Sequence, residues 1–100
     1  MDDMIFRFGS FRLDTRLLEL RRDDAPVPIE PQVFDVLRLL IENRDRIVSK
    51  DEIIDAVWDG RIVSEATLSS RMTAVRHAVG DDGKRQDVIR TLPRRGFRFV

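Results

Sequence analysis

The chain has no cysteine among its 100 residues, which excludes a disulfide scaffold, a thiolate zinc site and a cysteine nucleophile. It has one histidine, His77, too few for the usual multi-histidine metal site and the only one a histidine-based triad could use. No apolar run approaches the roughly 20 residues that span a bilayer as a helix. The start, Met1-Asp2-Asp3, is acidic where a secretory signal would be basic. Net charge is absent too, because 18 basic side chains balance 18 acidic ones.

The charges are unevenly spread. Residues 1–60 carry nine basic and fourteen acidic side chains, a net of −5, whereas residues 61–100 carry nine and four, a net of +5. Segregation of this kind hints at an end that faces a polyanion. A hydrophobic content of 42% suffices for one packed core despite 36% charge. One hundred residues suit one domain and leave little room for a lidded catalytic cleft. The expectation is a soluble, cytoplasmic, single domain over residues 1–100.

Short strands are expected over residues 1–30. Ile5–Phe8 and Phe11–Leu13 flank Gly9-Ser10, a two-residue turn suited to a primed hairpin. A third strand is expected over Leu17–Leu20, after the turn Asp14–Arg16. A break follows over Arg22–Pro26, then a last strand over Val27–Ile29, placed on an edge by Pro28. This reads as an antiparallel meander with one apolar face to be covered.

Three helices over residues 31–80 supply the cover. Pro31 suits a first helical position, and Val33, Phe34, Leu37, Leu40 and Ile41 recur at helical spacing through Asn43. Ser49-Lys50-Asp51-Glu52 is a capping box with Val48 and Ile53 as its hydrophobic staple, and the helix it opens ends at Asp59-Gly60. The third helix runs from the cap Ser64 to the stop Gly80, with Leu68, Met72, Val75 and Val79 as its buried stripe. At 100° per residue its opposite face carries Ala66, Ser70, Thr73, Ala74 and His77, with Arg71 and Arg76 on the flanks. Residues 86–100 read as a hairpin, with Val88–Leu92 and Phe97–Val100 around the tip Pro93-Arg94-Arg95-Gly96.

A helix of hydroxyls and methyls rimmed by arginine suits the major groove of DNA. Hydroxyls address base edges, methyls meet thymine, and arginines reach phosphates. An arginine-tipped hairpin suits the minor groove, whose negative potential deepens where it narrows. Each feature alone is more often a solvated surface, and the weight lies in their combination and order. Trp58 and the phenylalanines read as core, and His77 as an exposed side chain near the helix end. Gly80-Asp81-Asp82-Gly83-Lys84 is too short for a phosphate loop and reads as a helix stop and turn. Asp23-Asp24 and Asp81-Asp82 match no metal loop. No catalytic constellation, metal site or cofactor is expected.

The ordered stretches Phe8-Gly-Ser-Phe-Arg-Leu-Asp14, Ile29-Glu-Pro-Gln-Val-Phe-Asp-Val-Leu37, Ile47-Val-Ser-Lys-Asp-Glu52, Val57-Trp58, Val63-Ser-Glu-Ala-Thr-Leu68 and Ile89-Arg-Thr-Leu-Pro-Arg-Arg-Gly-Phe-Arg-Phe99 resemble the OmpR/PhoB-type winged-helix DNA-binding domain. The form Thr-Leu-Pro-Arg-Arg-Gly-Phe is most similar to its ToxR/CadC-like branch. The resemblance covers essentially the whole chain. It implies an α+β winged helix-turn-helix: a four-stranded sheet, three helices and a C-terminal wing. It also implies DNA contacts at Ala66, Thr67, Ser70, Arg71, Thr73, Ala74 and Arg76 in the third helix, and at Thr91 and around Pro93, Arg94 and Arg95 in the wing. Ala66, Thr73 and Ala74 stand where members often carry arginine, which weakens the expected phosphate grip.

The resulting expectation is a sequence-specific, cofactor-free DNA-binding domain of a bacterial transcriptional regulator. In it Arg71, Arg76, Arg94 and Arg95 hold phosphates or the minor groove, and Thr67, Ser70, Thr73 and Ala74 read bases. The resemblance adds three further expectations: contact with RNA polymerase through Asp59–Val63, a monomer when free with head-to-tail tandems on DNA, and a position at the N-terminus of a longer regulator whose sensory or membrane part follows. The rival reading is a winged helix used as a protein-interaction module in a larger signalling chain, favoured by the zero net charge and the arginine-poor helix.

Overall fold

The computed structural model describes residues 4–100. Residues 1–3, counted above with the sheet segment, lie outside the described residues. The elements are β1 (Ile5–Phe8), β2 (Phe11–Asp14), β3 (Glu19–Arg22), β4 (Ala25–Pro26), α1 (Pro31–Glu42), α2 (Lys50–Trp58), α3 (Glu65–Ala78), β5 (Ile89–Leu92) and β6 (Gly96–Phe99). Strands β1 to β4 make one antiparallel sheet in chain order, and β5 pairs with β6 in a separate hairpin. This is the expected α+β winged-helix organisation. No helix among the described residues is long and apolar enough to cross a membrane.

The first hairpin forms as expected, with Gly9 at φ +55° and Phe8 opposite Phe11. The third strand does not start at Leu17. The Asp14 carboxylate accepts hydrogen bonds from the amides of Arg16 (2.9 Å) and Leu17 (3.0 Å), so the turn consumes donors that a strand would pair. Leu18 adopts φ +55°, and both leucines are exposed. Pairing instead sets Leu13 opposite Leu20, both buried, which moves the strand two residues on, to Glu19–Arg22.

The next strand shifts the other way, starting two residues earlier than expected. Asp23 and Asp24 both take positive φ, the signature of a type I′ hairpin turn, so Arg22 stays paired with Ala25. The edge strand is Ala25–Pro26 rather than Val27–Ile29. Val27 keeps one link to the sheet through its amide, which donates to the Leu20 carbonyl at 2.8 Å. Proline does lie on the edge, but it is Pro26 rather than Pro28 that is paired there.

Helix α1 begins at Pro31 and buries Val33, Phe34, Val36, Leu37, Leu40 and Ile41. Helix α2 opens with the complete capping box: Ser49 Oγ accepts from the Glu52 amide at 3.1 Å, and the Ser49 amide donates to Glu52 Oε1 at 3.2 Å. Both staple residues, Val48 and Ile53, are fully buried. Helix α3 packs on α1 through Leu68, Met72 and Val75, and these join Leu13, Leu20, Ile89, Phe97 and Phe99 in one core. Trp58 is only half-buried, packed against the margin of that core. The Phe8 ring ties the two sheets together: it stacks on Phe11 with centroids 5.5 Å apart and meets Phe99 edge-on at 5.1 Å.

Candidate nucleic-acid interface

Helix α3 is fixed in register by its cap. Ser64 Oγ accepts from the Thr67 amide at 3.1 Å, and its hydroxyl bonds to Thr67 Oγ1 at 2.9 Å. The helix ends at Ala78, and Gly80, just past the cap Val79, takes a φ of +71° that suits a residue without a side chain. With Leu68, Met72, Val75 and Val79 turned into the core, Ala66, Ser70, Thr73 and His77 are exposed along the outer face. Thr67 and Ala74 are half-buried at its borders, and Ala74 also packs against the core. The helix therefore brings Ala66, Thr67, Ser70, Thr73 and Ala74 to one side as a face of methyl and hydroxyl groups.

Its two flanking arginines have different fates. Arg71 is half-buried, and its Nε donates to Gln32 Oε1 on α1 at 3.0 Å, leaving both terminal nitrogens of the guanidinium for a ligand. Arg76, expected on the flank of the outer face, is instead buried at 9% exposure. Its guanidinium turns to the wing and donates to the Ile89 carbonyl (Nη2 3.1 Å, Nε 3.3 Å) and to Thr91 Oγ1 (2.6 Å). Burial lowers its pKa, and the nearby Asp81 and Asp82 oppose that shift. The sequence held a signal for this. Arg76 lies four residues after Met72 and three before Val79, on the edge of the buried stripe rather than the outer face.

Asp81, read from the sequence only as part of a turn, organises the connection from α3 to the wing. Its carboxylate accepts from the amides of Asp87 (2.9 Å), Val88 (2.9 Å) and Ile89 (3.0 Å). Burial opposes its ionisation, but these amides together with that of Asp82 outweigh it and hold its pKa down to about 2.

The wing begins one residue later than expected, at Ile89, and ends one residue sooner, at Phe99. Ile89 and Phe97 face the core, while Arg90 and Arg98 pair outward. At the tip the Arg95 amide donates to the Leu92 carbonyl at 2.9 Å, with Pro93 second and Arg94 third at φ +67°. That is the pattern of a type II turn, held here by a residue with a side chain at a position that favours glycine. Arg94 and Arg95 are fully on the surface, and neither is ion-paired among the described residues. Thr91 is half-buried, its hydroxyl engaged by Arg76. Gly96 lets β6 cross close to the start of α2, where the Phe97 amide donates to the Val48 carbonyl at 2.9 Å and the Val48 amide to the Phe97 carbonyl at 2.8 Å.

Residues 24–99 match the family model described as transcriptional regulatory protein, C terminal. The chain is 25% identical over 101 residues to the transcriptional activator CadC of Escherichia coli strain K12, covering 100% of this chain and 20% of CadC. It is 37% identical over 99 residues to the transcriptional regulatory protein TrcR of Mycobacterium tuberculosis, covering 98% of this chain and 37% of TrcR. This chain therefore spans well under half of either curated relative. Among solved structures, the Klebsiella pneumoniae RstA DNA-binding domain, crystallised in complex with the RstA box, superposes with a TM-score of 0.85. That similarity covers 96% of each chain at 18% identity and concerns the fold. The chain belongs to the transcriptional regulatory protein C-terminal family and has its OmpR/PhoB-type winged-helix fold.

Proposed function

We infer that this chain is the DNA-binding domain of a bacterial transcriptional regulator, reading duplex DNA with α3 in the major groove and the β5–β6 wing in the neighbouring minor groove. The observation that carries the reading is the Arg76–Thr91 hydrogen bond, which seats the wing beside α3. An uncharged reading face and an arginine-tipped hairpin thereby belong to one surface. Thr67, Ser70, Thr73, Ala74 and Ala66 meet base edges and thymine methyls, whereas Arg71, Arg94 and Arg95 serve phosphates or the minor groove. The domain is a binding module that works without a cofactor. It acts in the cytoplasm with the DNA, and any membrane anchor belongs to another part of a longer regulator.

Binding-site selection combined with salt titration tests this reading. A handful of phosphate contacts gives a log–log salt slope of roughly −3 to −5, at about −0.9 per contact. Arg95→Ala lowers affinity on many sequences alike and reduces the slope by about one unit. Thr73→Ala leaves the slope intact and changes preference at one or two base positions, by about 1–3 kcal/mol. The free domain sediments as a monomer, and the selected sites are direct repeats read head to tail. Affinity that ignores salt, or no binding at low ionic strength, would instead favour a protein-interaction module.

One exposed side chain supports a second partner. Ile62, in the connection between α2 and α3, is 103% exposed, an apolar group with no neighbour to cover it. Within Asp59–Val63 it offers a contact for RNA polymerase. Ile62→Ser is expected to leave DNA affinity unchanged while lowering activated transcription in a purified system. Equal transcription from both proteins would remove this contact.

A further inference from the structure

Ile89 is held from both sides of its backbone. Its amide donates to Asp81 Oδ2 at 3.0 Å, and its carbonyl receives Arg76 Nη2 and Nε at 3.1 and 3.3 Å. The backbone closes the circuit, because the Asp81 amide donates to the Arg76 carbonyl at 2.8 Å. Arg76 Nη2 extends the circuit to Thr91 Oγ1, across 15 residues of sequence. The end of α3, the loop after it and the first strand of the wing are thus joined in one hydrogen-bonded ring. It is largely shut off from water: Ile89 is fully buried, Arg76 is 9% exposed and Asp81 is 6% exposed. In such surroundings each bond is strong and an unfilled partner is costly.

The choice of arginine has a geometric reason. Ile89 and Thr91 both turn their amides to the edge of β5 that faces away from β6, and a planar guanidinium fork spans the carbonyl of one and the hydroxyl of the other. A lysine ammonium is a point charge on a flexible stem and does not hold two such acceptors in fixed directions. Among the described residues no carboxylate is ion-paired with Arg76, and Asp81 and Asp82 favour its charge from a greater distance, so its direct partners are the two neutral oxygens. The tip, with Arg94 and Arg95, lies just past Thr91, where Leu92 pairs with Gly96 and the turn reverses the chain, so a rotation of β5 at Thr91 carries the arginines with it.

Resting on the two-groove reading, we propose that Arg76 is a positioning residue: it makes no contact with DNA and sets the angle of the wing to α3, so that both reach their grooves together. The wing contributes to binding only while this tether is intact. Loss of Arg76 therefore loses the contribution of Arg95, although neither residue touches the other.

The experiment is a double-mutant cycle on the duplex that wild-type protein selects, with Arg95→Ala, Arg76→Lys and the pair. Thr91→Val repeats the cycle from the acceptor side without changing any charge. The expected result is that Arg95→Ala costs about tenfold in the wild-type background and no more than about twofold beside Arg76→Lys or Thr91→Val. Amide exchange over Ile89–Leu92 in the free protein accelerates in both tether variants while that of α1 does not, which separates a loosened wing from general unfolding. Losses that simply multiply, with exchange of β5 unchanged, overturn the tether and make Arg76 an independent contact. Arg95→Ala without effect in the wild-type background defeats the two-groove reading itself, and the positioning role falls with it.

Discussion

Gly96→Ala lowers the stability of the domain by about 3 kcal/mol or more, and the wing fails to dock. Gly96 has φ +142°, a conformation that L side chains rarely adopt. A Cβ built there would overlap the Val48 carbonyl oxygen and stand 2.8 Å from Ser49 Cα. Both obstacles are backbone, so no side chain can swing aside to relieve them. To make room β6 must retreat, which breaks the pair of hydrogen bonds between Val48 and Phe97 and pulls Phe97 from the core. Val48 is also the staple in front of the α2 capping box, so the damage spreads to that helix start. Denaturant unfolding of the variant against wild type measures the loss. An unchanged midpoint would mean that the strand crossing is loose and the glycine serves only the turn.

Leu68→Ala costs about 2–5 kcal/mol and leaves the domain loosened rather than merely weaker on DNA. Leu68 is 3% exposed and opens the stripe by which α3 lies on α1. Its neighbour Ser69 points outward, so Ser69→Ala serves as the control for changes in helix propensity alone. The thermal midpoint reads the result directly. A Leu68→Ala protein that melts with the wild type would show α3 rotated on its axis, and with it the assignment of Thr73 to the outer face would fail.

The elements were legible wherever one local rule acted alone. Pro31, the Ser49–Glu52 box, the Ser64 cap and the Leu68-Met72-Val75-Val79 spacing each specify a helix end or face within a few residues, and α1, α2 and α3 lie where those signals put them. The sheet was less legible because two local rules competed. Leu17-Leu18 looks like strand by hydrophobicity, yet Asp14 ties up the amides that follow it, and the pairing of Leu13 with Leu20 decides the register. The last strand was decided separately, by the tight turn at Asp23-Asp24 that pairs Arg22 with Ala25.

At the candidate interface, the outer face of α3 and the arginine tip follow from periodicity and turn residues, both properties of short stretches of chain. The sequence by itself determined the element order, the buried stripe of α3 and the positions of Ser70, Thr73, Arg94 and Arg95 on the surface. Only the tertiary structure decided what the remaining polar groups do. Arg71 is steadied by Gln32, 39 residues away, Gly96 is required by the Val48 carbonyl, and Arg76 belongs to Ile89 and Thr91 rather than to solvent. The reason is physical: helix and strand periods fix which way a side chain leaves the backbone, but a long polar side chain is committed by whichever unpaired donor or acceptor the packed fold brings within its reach.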